Sequence, residues 1–141
     1  MRTIDTIFIH CTASRQTATT SDIMREFREK GWKFPGYHYL VKPDGKVDEL
    51  LDICKPSNGV AGHNAHSINI AYIGGISPEG KPADNRTIEQ KAAIVHLLLQ
   101  LREQFPKARI MGHRDIWGAY NRMAWRKQCP CFNATKEYAA I

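Results

Sequence analysis

The chain has 141 residues, which fits one domain, and its 43% hydrophobic and 24% charged residues are typical of a globular protein and exclude a disordered one. Lysine and arginine number 20 against 14 acidic residues, so the formal net charge of +6 favours polyanionic partners such as nucleic acid or an anionic cell wall. The longest apolar stretch, Ile94–Leu101, is interrupted by polar residues and falls short of the about 18 residues of a membrane span, so no transmembrane helix is predicted.

The N-terminal part of the chain predicts a strand followed by a helix. Residues Thr3–His10 are rich in β-branched and aromatic side chains, which is typical of a buried strand. Thr19 or Thr20 can cap a helix that runs to Lys30, and Gly31 stands where a glycine commonly ends a helix. The strand thus ends in a polar residue, a position at which a scaffold can present a ligand.

A hairpin and a further strand follow. Tyr37–Val41 and Lys46–Leu51 flank the turn sequence Pro43-Asp44-Gly45, which predicts two antiparallel strands. Ser67–Ile73 has the composition of another strand, and Gly74-Gly75 closes it.

The longest predicted helix opens with a capping box. Thr87 and Gln90 have the spacing at which each side chain bonds the other's backbone N–H, and Pro106 stops the helix. The pattern predicts an apolar helix face directed at the core. Its members are Ile88, Ala92, Val95 and Leu99, joined by Ile94, Leu98, Leu101 and Phe105.

The last elements are short. Ala108–Met111 predicts a strand that leads into Gly112-His113-Arg114-Asp115, and Asn133 can cap a final helix. Strands and helices mix without strict alternation. We therefore expect residues 1–141 to form a single domain with a mixed α/β fold on one sheet.

The cellular location and the cysteine chemistry are also addressed by the sequence. No apolar signal core follows Met1, so the chain as given is expected to accumulate in the cytoplasm until it is released to act elsewhere. In that setting the four cysteines are expected to be free thiols or metal ligands rather than a disulfide framework.

Three residues form a candidate metal site. His10 and His113 each stand at the end of a predicted strand, and Cys129 lies in the segment Lys127-Gln128-Cys129-Pro130-Cys131. Two imidazoles and one thiolate would leave one position of a tetrahedral Zn²⁺ open, which is the catalytic type of zinc site. Spacing alone leaves open the alternative of hydrogen-bonded histidines and buried structural thiols.

Five motifs in chain order resemble those of the type-2 N-acetylmuramoyl-L-alanine amidases, a family of zinc enzymes that includes phage endolysins and the peptidoglycan recognition proteins. Each motif is short, but five of them in the family's order cover nearly the whole chain and are specific together. They are Ile7-Phe8-Ile9-His10-Cys11-Thr12-Ala13-Ser14, Gly36-Tyr37-His38-Tyr39 with Asp44-Gly45, Asn64-Ala65-His66-Ser67-Ile68, Gly112-His113-Arg114-Asp115 and Lys127-Gln128-Cys129-Pro130.

The resemblance implies an α/β fold with a central mixed β-sheet flanked by α-helices and a zinc cleft at the surface. It also implies roles for five positions. His10, His113 and Cys129 fall on the zinc ligands, Tyr37 on the catalytic tyrosine and Lys127 on the catalytic lysine of the phage-type members. The expected reaction is the zinc-dependent hydrolysis of the amide between N-acetylmuramic acid and L-alanine in peptidoglycan. With no room for a separate wall-binding module, the chain resembles a phage or prophage endolysin.

Three further residues are expected to contact the substrate. His63 resembles the cleft histidine that family members often carry near the zinc. Trp117 lies in a segment where basic and aromatic residues alternate, and it can stack on a sugar, while Arg114 can pair with a peptide carboxylate. The alternative without a functional role for this segment is a charged loop anchored by its tryptophans.

Two positions depart from the family pattern. Asn69 replaces the usual glycine, and it is the least costly replacement if the backbone there needs a positive φ. Cys131 stands where phage-type members have a small residue, so it is a competing sulfur ligand, although Cys129 has the required spacing from Lys127 and Pro130.

Two other classes of protein compete with the amidase. One is a non-catalytic peptidoglycan-binding module, which lacks the cysteine ligand; the other is a basic nucleic-acid-binding protein, for which the net charge is the main argument. We expect peptidoglycan as the partner, no obligate nucleic acid, no membrane and a monomer.

Overall fold

The computed structural model describes residues 2–141, which form one mixed sheet with helices on both faces. The strand order is β3-β2-β4-β1-β5, and every neighbouring pair is parallel except the β2–β3 hairpin. The predicted mixed α/β architecture is confirmed, with strands mostly shorter than predicted. The strands are β1 (Thr6–Cys11), β2 (Tyr39–Val41), β3 (Val47–Glu49), β4 (Ser67–Tyr72) and β5 (Arg109–Gly112).

The predicted helices form, and their caps are the predicted ones. The side chain of Thr19 accepts from the backbone N–H of Asp22, and that of Thr87 accepts from Gln90. Asn133 caps the last helix in the same way. Each cap satisfies a backbone donor that has no partner within the helix. The helices are α1 (Thr20–Glu29), α2 (Ile88–Gln104) and α3 (Ala134–Glu137), with short 3₁₀ turns at Asn64–His66, His113–Trp117 and Arg122–Ala124.

Strand alternation divides the core into two halves. On β1, Ile7, Ile9 and Cys11 pack in the cluster that holds the buried residues of α2 and α3. The opposite face of the sheet is covered by α1 through Ile23 and Phe27. His10, which alternates with its neighbours, therefore lies on the face opposite α2.

The apolar face predicted for α2 is partly wrong. Ile88, Val95 and Leu99 are 83%, 38% and 52% exposed, and the buried residues of α2 are centred on Ile94 and Leu98. Apolar residues occur almost all around this helix, so periodicity could not select the face that packs on the sheet. No helix formed by residues 2–141 is long and apolar enough to cross a membrane.

Candidate active site

The sheet brings His10, His113 and Cys129 together. Ile9 on β1 pairs with Gly112 on β5, so His10 and His113 leave two adjacent parallel strands at the same edge. Cys129 arrives on the C-terminal loop, which the backbone N–H of Cys11 holds by donating to its sulfur at 3.2 Å. Because carboxyl ends of parallel strands meet at one edge, residues far apart in the chain converge here.

These three side chains fit a tetrahedral zinc ion. Their donor atoms all lie within 4.8 Å of one another. The Cys129 sulfur is 3.8 Å from Nδ1 of His10, close to the about 3.5 Å that typical Zn–S and Zn–N bonds give at tetrahedral angles. Nitrogen and sulfur donors select zinc over magnesium or calcium, and a set of three leaves one position for substrate or water.

The histidines are in the protonation state that metal binding requires. Burial lowers the pKa of His10 to about 4, although its hydrogen bond to Asn69 opposes this. Burial and the nearby His10 and Lys127 lower the pKa of His113 to about 3. Both imidazoles are therefore neutral near neutral pH, so neither histidine has to lose a proton before a metal binds.

Cys131 does not join the group. Its sulfur lies 3.9 Å from that of Cys11 and 3.7 Å from the carbonyl oxygen of Gly75. The Cys11 side chain lies on the far side of β1 from His10, as strand alternation predicts. The structure thus brings Cys129, and not Cys131, to the two histidines.

Tyr37 and Lys127 line the same cavity, which has a volume of about 200 Å³. The Tyr37 ring centroid is 5.2 Å from that of His10, and its hydroxyl donates to the carbonyl of Cys11 at 3.3 Å. Burial raises the pKa of this phenol well above its usual range, so it stays protonated. Lys127 is exposed at the cavity mouth.

A second, wider cleft of about 760 Å³ adjoins the first. His63 and Trp117 line it together with Lys127 and His113. The Trp117 ring is stacked on His113 with centroids 5.8 Å apart, and the His63 ring meets the edge of Phe8 at 5.9 Å. Two of the three predicted substrate residues therefore face one open groove beside the candidate metal group.

Arg114 is not brought into that groove. It is 8% exposed, and its guanidinium lies 3.8 Å from the centroid of the Trp125 ring. It also donates to the carbonyl of Gln128 at 3.3 Å, and its own backbone N–H donates to the carbonyl of Cys129 at 2.9 Å. Its contacts hold the loop that carries Cys129, a role that sequence spacing could not show.

The contact of Asn69 with His10 was not predicted from the sequence. It lies in β4 without a positive φ, so the expected backbone reason for asparagine is wrong. Its side chain is instead fully buried and meets Nε2 of His10 at 2.7 Å. A polar residue between two isoleucines in a buried strand was the available signal.

Comparison with known proteins shows which family the chain resembles. A profile of the N-acetylmuramoyl-L-alanine amidase family matches residues 1–132. The endolysin of Klebsiella phage KP32 is 33% identical over 129 residues, which is 90% of this chain and 80% of the relative.

Solved structures show the same fold. The Ph2119 endolysin from a Thermus scotoductus bacteriophage has a TM-score of 0.72 and 27% identity, covering 92% of this chain and 79% of that one. The amidase LysCS from Clostridium intestinale has a TM-score of 0.78 at 20% identity, covering 97% and 81% of the two chains. The profile match spans the candidate ligands as well as the fold, and the chain belongs to the N-acetylmuramoyl-L-alanine amidase family.

Proposed function

We propose that this chain is a zinc-dependent amidase that cleaves the bond between N-acetylmuramic acid and L-alanine, with zinc held by His10, His113 and Cys129. The observation that carries the proposal is the convergence of three donor atoms within 4.8 Å at one edge of the sheet. The family membership supports the amidase reaction, and the donor set supports zinc as the metal.

The reaction needs a polarised carbonyl, a nucleophilic water and a proton for the leaving amine. When bound, zinc supplies Lewis acidity, which polarises the scissile carbonyl and lowers the pKa of a water molecule. His10 and His113 contribute neutral nitrogen lone pairs. The backbone N–H of Cys11 stabilises negative charge on the Cys129 sulfur by donating a hydrogen bond to it.

Tyr37 and Lys127 supply the remaining chemistry. The phenol of Tyr37, which remains protonated beside His10, orients the attacking water and passes a proton. Lys127 stands at the mouth of the same cavity, where a cation stabilises the negative charge that develops on the carbonyl oxygen. Among the residues that line this cavity, Glu26 on α1 supplies the one carboxylate.

The wider groove is proposed to hold the glycan and stem peptide. Trp117 offers an aromatic face and His63 a polar edge within reach of the donor group. We propose the biological role of an endolysin, acting on the cell wall, because phage endolysins match this chain over most of their length.

The test combines zinc content with product release. Purified protein is expected to hold about one zinc per chain and to release L-alanine amino termini from purified peptidoglycan, with loss of activity on chelation and recovery on addition of zinc. Zinc without release from any wall type would instead identify a recognition module. If the protein holds no zinc and releases no product, the proposal is refuted. Salt-dependent binding to DNA would then favour the nucleic-acid alternative.

A further inference from the structure

A buried chain of hydrogen bonds leads away from the candidate metal group. Nε2 of His10 meets Oδ1 of Asn69 at 2.7 Å, and Nδ2 of Asn69 donates to Oγ of Ser57 at 2.7 Å. Oγ of Ser57 lies 3.2 Å from Nδ1 of His38, whose Nε2 lies 2.7 Å from the carbonyl oxygen of Lys55. Asn69, Ser57 and His38 are all fully buried, so no water competes for these contacts.

The contacts of His38 determine which atoms donate and which accept in this series of hydrogen bonds. The backbone N–H of Asn69 can only donate, and it lies 3.0 Å from Nδ1 of His38, so this nitrogen accepts. Nε2 of the neutral ring then carries the hydrogen and donates it to the carbonyl of Lys55 at 2.7 Å, while the guanidinium of Arg2 lies farther from Nε2, at 3.3 Å. The hydroxyl of Ser57 lies 3.2 Å from Nδ1 and directs its proton at the same lone pair, which the hydroxyl and the Asn69 N–H share. Burial lowers the pKa of His38 to about 4, consistent with a neutral ring.

The direction propagates to His10. Because the Ser57 hydroxyl proton points to His38, the Ser57 oxygen accepts from the amide nitrogen of Asn69. The amide oxygen of Asn69 is left facing His10 and can only accept. The proton of the neutral His10 ring therefore sits on Nε2, and its free lone pair is on Nδ1, the atom 3.8 Å from the sulfur of Cys129.

The surrounding backbone leaves room for this arrangement. A Cβ at Gly59 would lie 2.2 Å from Cγ of Asn69, so only glycine at 59 admits the buried amide. The amide is thus packed as well as hydrogen-bonded, and its orientation is restricted from two sides.

We infer that Asn69 is a positioning residue, whose amide oxygen holds His10 in the Nε2–H tautomer and so presents Nδ1 to the metal, with Ser57 and His38 fixing the amide orientation. The inference rests on the proposed function in one respect, since it takes His10 as a metal ligand. Partners of this kind raise the basicity of a ligating histidine and hold its ring in place.

The first measurement needs no metal. Long-range ¹H–¹⁵N correlation spectra of the metal-free protein report which ring nitrogen of His10 carries the proton. The Nε2–H form is expected in the unsubstituted chain and in Asn69→Asp, whose carboxylate also accepts. Asn69→Ala is expected to give a mixture of tautomers, and an unchanged Nε2–H form in that variant would overturn the inference.

Zinc affinity, measured by competition with a chromophoric chelator, is the second readout. Asn69→Ala is expected to weaken zinc binding by about 10–100-fold, and Asn69→Asp to stay within about 3-fold of the unsubstituted chain. Ser67→Ala is the matched control, because Ser67 shares the face of β4 with Asn69 and its buried hydroxyl has no partner among residues 2–141. Its zinc affinity is expected to be unchanged.

Thermal unfolding of each metal-free variant separates a folding defect from a loss of positioning. If Asn69→Ala does not fold, Ser57→Ala leaves the amide in place but frees its orientation, and it is expected to lower the population of the Nε2–H form. Tight zinc binding by a folded Asn69→Ala would overturn the inference. Absence of zinc binding by the unsubstituted chain would refute the proposed function instead, while the tautomer measurement still decides the inference.

Discussion

At the scale of single residues, the candidate site is a set of neutral donors surrounded by groups that hold them. His10 is held by the hydrogen bond between its Nε2 and the amide oxygen of Asn69, and Cys129 is held by the hydrogen bond that its sulfur accepts from the backbone N–H of Cys11. Tyr37 and Lys127 place a hydroxyl and an amine in the same cavity. Substitutions can test separately the proposed ligand, proton-transfer and charge-stabilising roles.

The two sulfurs in the C-terminal loop are expected to differ. Cys129→Ser is expected to lose bound zinc and to lower turnover by more than about 100-fold, because a hydroxyl replaces the sulfur ligand. Cys131→Ser is expected to keep its bound zinc and its turnover, since the Cys131 sulfur lies beside Cys11 and not at the donor group. Metal analysis and amidase assays of the two variants check this, and loss of zinc in Cys131→Ser would contradict it.

Tyr37→Phe is expected to lower turnover by about 100-fold or more while zinc stays bound. The substitution removes only the hydroxyl, and general acid–base catalysis typically contributes at least this factor. Steady-state kinetics alongside zinc content measure the effect. A turnover near that of the unsubstituted chain would exclude the proposed proton transfer.

Lys127→Ala is expected to lower turnover by about 100–1,000-fold, the cost of removing one group that stabilises an oxyanion. Lys107→Ala, an exposed lysine outside both cavities, removes the same charge and serves as the control. Equal losses in the two variants would show that net charge, and not position, is responsible.

Among the elements, the parallel pairing of β1 with β5 places the two candidate histidine ligands side by side. The helices cover the two faces of the sheet and keep that edge fixed. α2 does so with a narrower face than its composition indicates, because Ile94 and Leu98 are buried while Ile88 and Leu99 are exposed.

A pair of isoleucine substitutions on α2 tests this assignment. Ile94→Ala is expected to lower the free energy of unfolding by about 2–5 kcal/mol, because it leaves a cavity in the core. Ile88→Ala, at a residue that is 83% exposed, is expected to change it by less than about 0.5 kcal/mol. Denaturant unfolding measures both, and similar losses would mean that Ile88 packs against the core.

At the scale of the whole molecule, the metal-free protein keeps buried histidines neutral. Burial lowers the pKa values of His10 and His38 to about 4, from the usual 6.5. Between pH 6.5 and pH 4 these histidines therefore bind protons in the unfolded chain but not in the folded chain. Their contribution to the free energy of unfolding is fully present above pH 6.5 and is lost as the pH falls toward 4.

This pH dependence is measurable by denaturant unfolding of the metal-free protein across that range. The lowered pKa of His38 alone corresponds to a loss of about 3 kcal/mol in the free energy of unfolding on acidification, at about 1.4 kcal/mol per pKa unit. His38→Gln removes one titrating group, so the loss of stability on acidification is expected to become shallower. A free energy of unfolding that does not change with pH would contradict the neutral, buried rings.

Much of the local structure follows from short-range features of the sequence. Capping residues such as Thr87 and Asn133 act on donors within one turn of helix, and strand composition acts on adjacent residues, so both can be recognised without a fold. The amidase motifs likewise indicated His10, His113 and Cys129 before any geometry was known.

Contacts between residues that are distant in the chain could be established from the folded structure alone. It turned Ile94 rather than Ile88 to the core, placed Arg114 beneath Trp125 and aimed the amide of Asn69 at His10. These outcomes depend on which surfaces pack together and on which buried polar groups find partners. Both are set by contacts between segments far apart in the chain, about which local periodicity and spacing carry no information.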